Sequence, residues 1–301
     1  MAFCALAWRF FRLLLRLRET TIFAAMHEPG NVMERISEAA AYLESRTPST
    51  PGIGIVLGSG LGNFSREISI DLEIPYSDIP HFPVSTVEGH SGRLIFGTIA
   101  GKPVVAMAGR FHYYEGYETD EVVFPIRVMR HLGVHTLLVS NAAGGVNPGF
   151  KVGDLMVITD HISLSTVNPL LGRNISELGP RFPDMSEPYC KELLRKADEA
   201  AVEHGLELRK GVYFGVTGPT FETRAEYRMI HILGGDAVGM STVQEVIAAV
   251  HMGMKVFAVS VITDIGIREE ENTITHEEVL QAAESAEPRL ALLLTSLIDK
   301  L

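Results

Sequence analysis

Hydrophobic and polar positions along this chain alternate between two periods. Ile36, Ala39, Ala40 and Leu43 recur three and four apart, which predicts an amphipathic helix from Met33, ended by Arg46-Thr-Pro-Ser-Thr-Pro51. Short apolar runs rich in β-branched residues predict strands over 53–57, 94–99 and 103–108, from His135, and over 154–160, 211–217 and 255–263. Helical spacing falls between them, over 120–132, 188–203, 224–233 and 243–251 and again from 275. Pro125 sits in the first turn of its helix or kinks it, and Pro288 kinks the last one. The two early strands read as a hairpin turning at Ala100-Gly-Lys. Thr275-His-Glu-Glu278 is a capping box, and Ser241 and Thr242 are well placed to cap the helix over 243–251. Residues 163–187 carry Asn, Pro, Gly and Ser in no regular period, the mark of a lid or an interface segment. Strands alternating with helices, without a linker or a repeat, predict one α/β domain.

The residues able to do chemistry gather where the strands end, which is where open α/β sheets bind ligands. The run from His135 passes into Asn141-Ala-Ala-Gly-Gly145, whose small side chains would let a ligand approach the backbone N–H groups. The same residues also fit a tight surface turn. The first strand runs into Gly58-Ser-Gly-Leu-Gly62, whose N–H groups and Ser59 hydroxyl suit a phosphate, although a plain turn fits equally well. Its glycines do not match the dinucleotide fingerprint, and no Lys-Ser/Thr follows to make a Walker loop. Gly109-Arg-Phe-His112 puts two basic groups two residues apart, on one side of an extended chain, with Tyr114 close behind. Phe221 and Glu222 fall at a strand-to-helix corner, an aromatic face beside a carboxylate that suits a heterocycle with a ring N–H. Asp264 ends the most apolar strand, which favours a ligand-facing acid over a structural one. Ser241 reads most simply as a cap and His276 as a solvent residue in a first helical turn.

Composition narrows the field. The 301 residues are 46% hydrophobic and 21% charged, enough for one large domain or two small ones with an ordinary core. A net charge of −11 argues against a general nucleic-acid binder while leaving room for a local basic pocket. Cys4 and Cys190 form neither a disulfide framework nor a zinc-like spacing, which suits a reducing cytoplasm. Residues 1–25 differ from the rest: Arg9, Arg12, Arg16 and Arg18 against Glu19 alone give +3, leaving −14 for the remainder. They fit a basic amphipathic targeting segment, but are too charged to span a bilayer and have no convincing cleavage site. The simpler expectation is an extension, disordered or not native, ahead of a domain over 26–301.

Together the motifs resemble the trimeric purine nucleoside phosphorylases. Gly58-Ser-Gly-Leu-Gly62, Gly89-His-Ser-Gly-Arg93, Gly109-Arg-Phe-His112, Asn141-Ala-Ala-Gly-Gly145, Gly218-Pro-Thr-Phe-Glu-Thr223 and Gly239-Met-Ser-Thr-Val243 follow the family's order and spacing. The resemblance implies an α/β domain around a mixed, partly barrel-like sheet flanked by helices. It also implies reversible phosphorolysis of purine ribo- and deoxyribonucleosides, with inosine and guanosine favoured, to free base and (deoxy)ribose 1-phosphate in purine salvage. By the same resemblance Ser59, His90, Arg110, His112, the backbone of Ala142 and Ser241 would hold phosphate. Ala143, Gly144, Phe221, Glu222, Met240 and Asp264 would hold the purine. Tyr114, Met240 and His276 would line the ribose, together with Phe182 lent by a neighbouring subunit of a homotrimer. Glu222, Asp264 and His112 would be the catalytic groups, and phosphate a co-substrate, with neither cofactor nor metal. The partners implied are small molecules and further copies of the chain, in the cytoplasm, without nucleic acid or membrane.

One departure stands out. The 6-oxopurine-specific members carry Asn where this chain has Asp264, and an ionised aspartate repels a purine O6 but welcomes a 6-amino group. Related methylthioadenosine phosphorylases use Asp there but lack the acid matching Glu222. Three alternatives therefore stand beside the leading one: a phosphorylase accepting methylthioadenosine or adenosine, a hydrolytic nucleosidase, and a nucleoside-binding protein without turnover.

Overall fold

The computed structural model describes residues 29–47, 49–86, 91–266 and 274–301. The extension expected over residues 1–25 lies outside them, as does His90. The helix expected near residue 33 is α1 (Pro29–Glu44), and Ile36, Ala39, Ala40 and Leu43 are all buried against the core, as their spacing requires. In chain order the strands are β1 (Ile53–Leu57), β2 (Ser69–Pro75), β3 (Arg93–Ile99), β4 (Lys102–Ala108), β5 (Thr136–Gly145), β6 (Leu155–Ile162), β7 (Leu208–Gly215), β8 (Ala237–Gly239) and β9 (Lys255–Ile265). The further helices are α2 (Thr119–Val122), α3 (Phe124–His131), α4 (Lys191–His204), α5 (Arg224–Ile232), α6 (Val243–His251) and α7 (His276–Asp299).

Among the described residues these strands form one mixed sheet in the order β2-β3-β4-β1-β5-β8-β7-β6-β9, and β9 returns to pair with β5. The five strands from β5 to β9 therefore close on themselves as a small barrel, and β2, β3, β4 and β1 extend from it as an open wing. This is the mixed, partly barrel-like sheet that was expected. β1 lies parallel to both β4 and β5, and all five of its residues are buried, the signature of a strand covered on both faces. On one face α1 packs on α3 and α3 on α6; on the other α4 packs on α7. Leu290, Leu293, Leu294 and Leu297 of α7 are all buried, each contributing about 1.5–3 kcal/mol of burial.

Asn141–Gly145, expected where a ligand could approach a strand end, with a tight turn as the alternative, is the second half of β5, paired with β9 along its length and with β8 at Gly144 and Gly145. Its small side chains let two strands crowd one end of a third. Several other expectations needed correction. The helix expected over 120–132 breaks at Val123 into α2 and α3, and Pro125 stands at the restart, where a missing N–H costs least. α4 begins at Lys191 rather than 188, and β7 spans Leu208–Gly215 rather than 211–217. β2 gave no sequence signal because it is an edge strand with only Ile74 buried. Residues 163–187 hold no helix or strand, as expected.

Candidate active site

The carboxyl ends of β1, β4, β5 and β9 meet at a cleft of about 660 Å³. Ser59 reaches it from the loop after β1. Arg110, His112 and Tyr114 follow β4; Asn141, Ala142, Ala143 and Gly144 are its floor on β5. Phe221 and Glu222 come from the corner before α5, Met240 and Ser241 from the end of β8, Asp264 from β9, and His276 from the first turn of α7. Two expected residues are not in this lining. His90 lies outside the described residues, and Phe182 is 87% exposed on the irregular segment.

The basic end is tightly held. Gly60 adopts φ +73° with α7 so close that a Cβ would lie 2.7 Å from Ala283 Cβ, which seats the Ser59 loop against that helix. Arg110 is buried; its Nε donates to Glu245 Oε1 at 3.2 Å and its Nη1 to Ser241 Oγ at 3.1 Å. Glu245 is buried as well and balances a charge that would otherwise be costly so far from water. Ser241 and Thr242 do not cap α6. Thr242 sits at φ +72° with no side-chain capping bond, and its Oγ1 accepts from Asn141 Nδ2 at 2.8 Å and lies 3.2 Å from Ser241 Oγ. A β-branched residue at positive φ costs about 1–3 kcal/mol, and here the conformation turns both hydroxyls towards Asn141 and Arg110 instead of the helix end.

His112 is fixed by Glu115, whose Oε1 takes the His112 backbone N–H at 2.8 Å and faces Nδ1 at 3.0 Å. The other oxygen accepts from the Thr86 amide at 2.9 Å and its hydroxyl at 2.6 Å. Burial pushes the Glu115 carboxyl up, but these bonds together outweigh it and hold it at about 2. An ionised carboxylate only accepts, so Nδ1 carries the proton. Burial pushes the His112 imidazole down, against the pull of Glu115. The ring stacks on Tyr114 with centroids 4.6 Å apart, and burial raises the Tyr114 phenol to about 12.

The acidic end is built differently. Asp264 is buried at the end of β9, accepting from Tyr227 Oη at 3.1 Å and from Thr263 Oγ1 at 3.3 Å. Burial raises the Glu222 carboxyl, and the charges of Asp264 and Glu226 push it the same way. Phe221 stays 41% exposed beside them, an aromatic face turned partly to solvent. Gly144 leaves the room: a Cβ there would lie 2.9 Å from Tyr227 Oη and 3.2 Å from Asp264 Oδ2. His276 lies exposed among the lining residues, with its helix capped by the expected Thr275–Glu278 box.

Sequence reasoning missed Glu115, Glu245 and Tyr227. An acid in the first turn of an otherwise apolar helix was a usable sign for Glu245; nothing local marked the other two. No cluster of three metal-ligating side chains occurs among the described residues, and none of their helices is long and apolar enough to cross a membrane.

Residues 52–299 match the phosphorylase superfamily model. Purine nucleoside phosphorylase 1 of Geobacillus stearothermophilus is 55% identical over 249 residues, covering 83% of this chain and 91% of the relative. The structure of Schistosoma mansoni purine nucleoside phosphorylase in complex with adenosine superposes with a TM-score of 0.85 at 43% identity, covering 89% of this chain and 97% of that one. Isoform 2 from the same organism, in complex with cytosine and ribose-1-phosphate, gives 0.85 at 45% identity, covering 89% and 96%.

Proposed function

The chain belongs to the purine nucleoside phosphorylases of the phosphorylase superfamily, enzymes that transfer a pentosyl group, and we propose how its cleft divides that reaction. The observation that carries the reading is the polarity of one cavity, with Arg110 and His112 in one cluster and Glu222 and Asp264 in another. Phosphate would be held by Ser59, His90, Arg110, His112, the Ala142 N–H and Ser241, beneath C1′ of a ribose lined by Tyr114, Met240 and His276. The purine would lie on Ala143 and Gly144 against Phe221, between Glu222 and Asp264. As the bond from C1′ to the base breaks, positive charge grows on the ribose and negative charge on the purine. A phosphate oxygen forms the new bond at C1′, and the departing ring is stabilised by hydrogen bonds from its pocket. Both terms act most strongly in the transition state. This chemistry needs no cofactor.

The reading favours inosine and guanosine, because Glu222 can accept from a ring N1–H. Asp264 supports a second substrate class, the 6-aminopurines, and the Schistosoma relative was crystallised with adenosine. The His276 imidazole counts against an apolar 5′ substituent such as methylthio, and the anion cluster counts against simple hydrolysis. We also assign the catalytic domain to residues 26–301, the setting to the cytoplasm, and the assembly to a homotrimer in which exposed Phe182 completes a neighbour's ribose pocket. Sedimentation of the active enzyme as a monomer would overturn the last assignment.

Initial rates on inosine and adenosine, each with and without phosphate, test the reaction itself. Phosphate-dependent release of hypoxanthine is expected. Release of base at the same rate without phosphate would overturn the mechanism.

A further inference from the structure

Away from the cleft, a second cavity of about 750 Å³ lies between α1, α3, the end of α6 and the irregular segment. It shares no lining residue with the cleft. Arg127 stands three residues after Phe124 and one before Val128, on the buried face of α3, and is only 7% exposed. Its Nε has no hydrogen-bond partner, and no acid among the described residues forms an ion pair with it. Asp120 acts on it only at longer range, and burial pushes the guanidinium below its ordinary value. An arginine stays charged all the same. A cation is thus held inside the protein without a counter-ion, which is costly.

His251, at the end of α6, lines the same cavity and is buried too. Its Nε2 lies 3.0 Å from the Pro180 carbonyl, which can only accept, so Nε2 carries the proton. Nδ1 is then a bare acceptor, buried with no partner. That bond holds the irregular segment over the cavity, as does Asn174 Nδ2, which donates to Gly179 O at 3.1 Å. Arg35 reaches in from α1 with its guanidinium 5.1 Å from the Phe124 ring centroid, and exposed Arg173 lines the opposite side. Three arginines therefore face one acid, Asp120. Leu170, Leu171 and Ile175 add an apolar wall, with Leu171 74% exposed.

We propose that this cavity is a second anion site, built for a phosphate monoester with a small apolar body. The phosphoryl oxygens accept from Arg127, whose planar guanidinium offers them a fork of donors. In its singly protonated form the same group donates its one hydroxyl to His251 Nδ1, so both orphaned atoms gain a partner. The body lies on Leu170, Leu171 and Ile175. Bare inorganic phosphate leaves that wall uncovered, and an ionised carboxylate has no proton for Nδ1.

The test is equilibrium dialysis of phenyl phosphate against the full-length wild type, Arg127→Met and Arg35→Met. Binding that all three share belongs to the cleft, and the part the variants lose belongs to this site. Arg127→Met should weaken that part at least about tenfold, the worth of one hydrogen bond to a charged group. Arg35→Met, at a half-buried position, should weaken it about two- to fivefold. Both variants should keep the wild-type kcat/KM for inosine, since neither residue lines the cleft. Arg127→Met also removes an unpaired buried charge, so its urea midpoint should equal or exceed that of the wild type. Equal binding of phenyl phosphate by all three proteins would overturn the proposal. So would a lower midpoint in Arg127→Met, which would make the arginine structural, or a fall in kcat/KM matching the lost binding, which would place the effect in the cleft. Phenol or inorganic phosphate binding here as tightly as phenyl phosphate would overturn the ligand class, the first by dispensing with the anion and the second with the body.

Discussion

The two ends of the cleft hold their charges in opposite ways. At the basic end each group has its own buried acid: the Arg110 guanidinium has Glu245, and the His112 imidazole has Glu115. At the other end two acids, Glu222 and Asp264, are neighbours: the Tyr227 hydroxyl donates to Asp264, and the charge of Asp264 adds to burial in raising Glu222. The first arrangement fixes a field before substrate arrives, which suits an anion that every turnover must bind. The second sets like groups side by side, so burial and the charge of Asp264 both push Glu222 towards its protonated form.

The largest effect expected from this contrast is on folding. Glu245→Ala leaves Arg110 buried without its carboxylate and should cost about 3–5 kcal/mol of stability by urea unfolding. Glu222→Ala should do the reverse. It removes a repulsive acid and should leave the unfolding midpoint nearly unchanged, while inosine turnover falls by roughly 10²–10³, about 2.7–4 kcal/mol. Equal loss of stability in the two variants would break the comparison. Glu115→Gln sharpens it through pH. The Glu115 carboxyl is held at about 2 against 4.5 when free, so its contribution is complete above pH 4.5 and is lost as pH falls towards 2. Urea unfolding from pH 7 to 3 should show a shallower acid loss in the variant, by about 1–2 kcal/mol at the lower limit.

What was legible follows the same divide between local and distant causes. Ser59, Arg110, His112, Phe221 and Glu222 announce themselves because each lies in a short motif at the end of an apolar run, and the chain direction does the rest. Glu245 and Tyr227 lie one turn inside helices, and their roles exist only once α6 faces β4 and α5 faces β9. Ser241 and Thr242 were misread for a related reason. Local rules favour a cap, and only the contacts with Arg110 and Asn141 explain a threonine at φ +72°. The run Asn141–Gly145 was legible as a place where a ligand could approach the backbone, and it lines the cleft, while its glycines also left a tight turn open. In the fold they are what allows β8 and β9 to pair beside the floor of the site.

That strand has a further consequence. β5 is common to the open wing and the closed barrel, and it carries Ala142 at the basic end and Gly144 at the acidic end of the cleft. The gap between those two backbone positions is therefore a covalent ruler, two residues of chain or at most about 7 Å, paired with β9 throughout and with β8 from Gly144. An enzyme that brings its halves together by domain closure must recover its working distance at every turnover. Here the distance is written into the pleat of a single strand, so neighbouring loops can vary in length while the graduation stays the same.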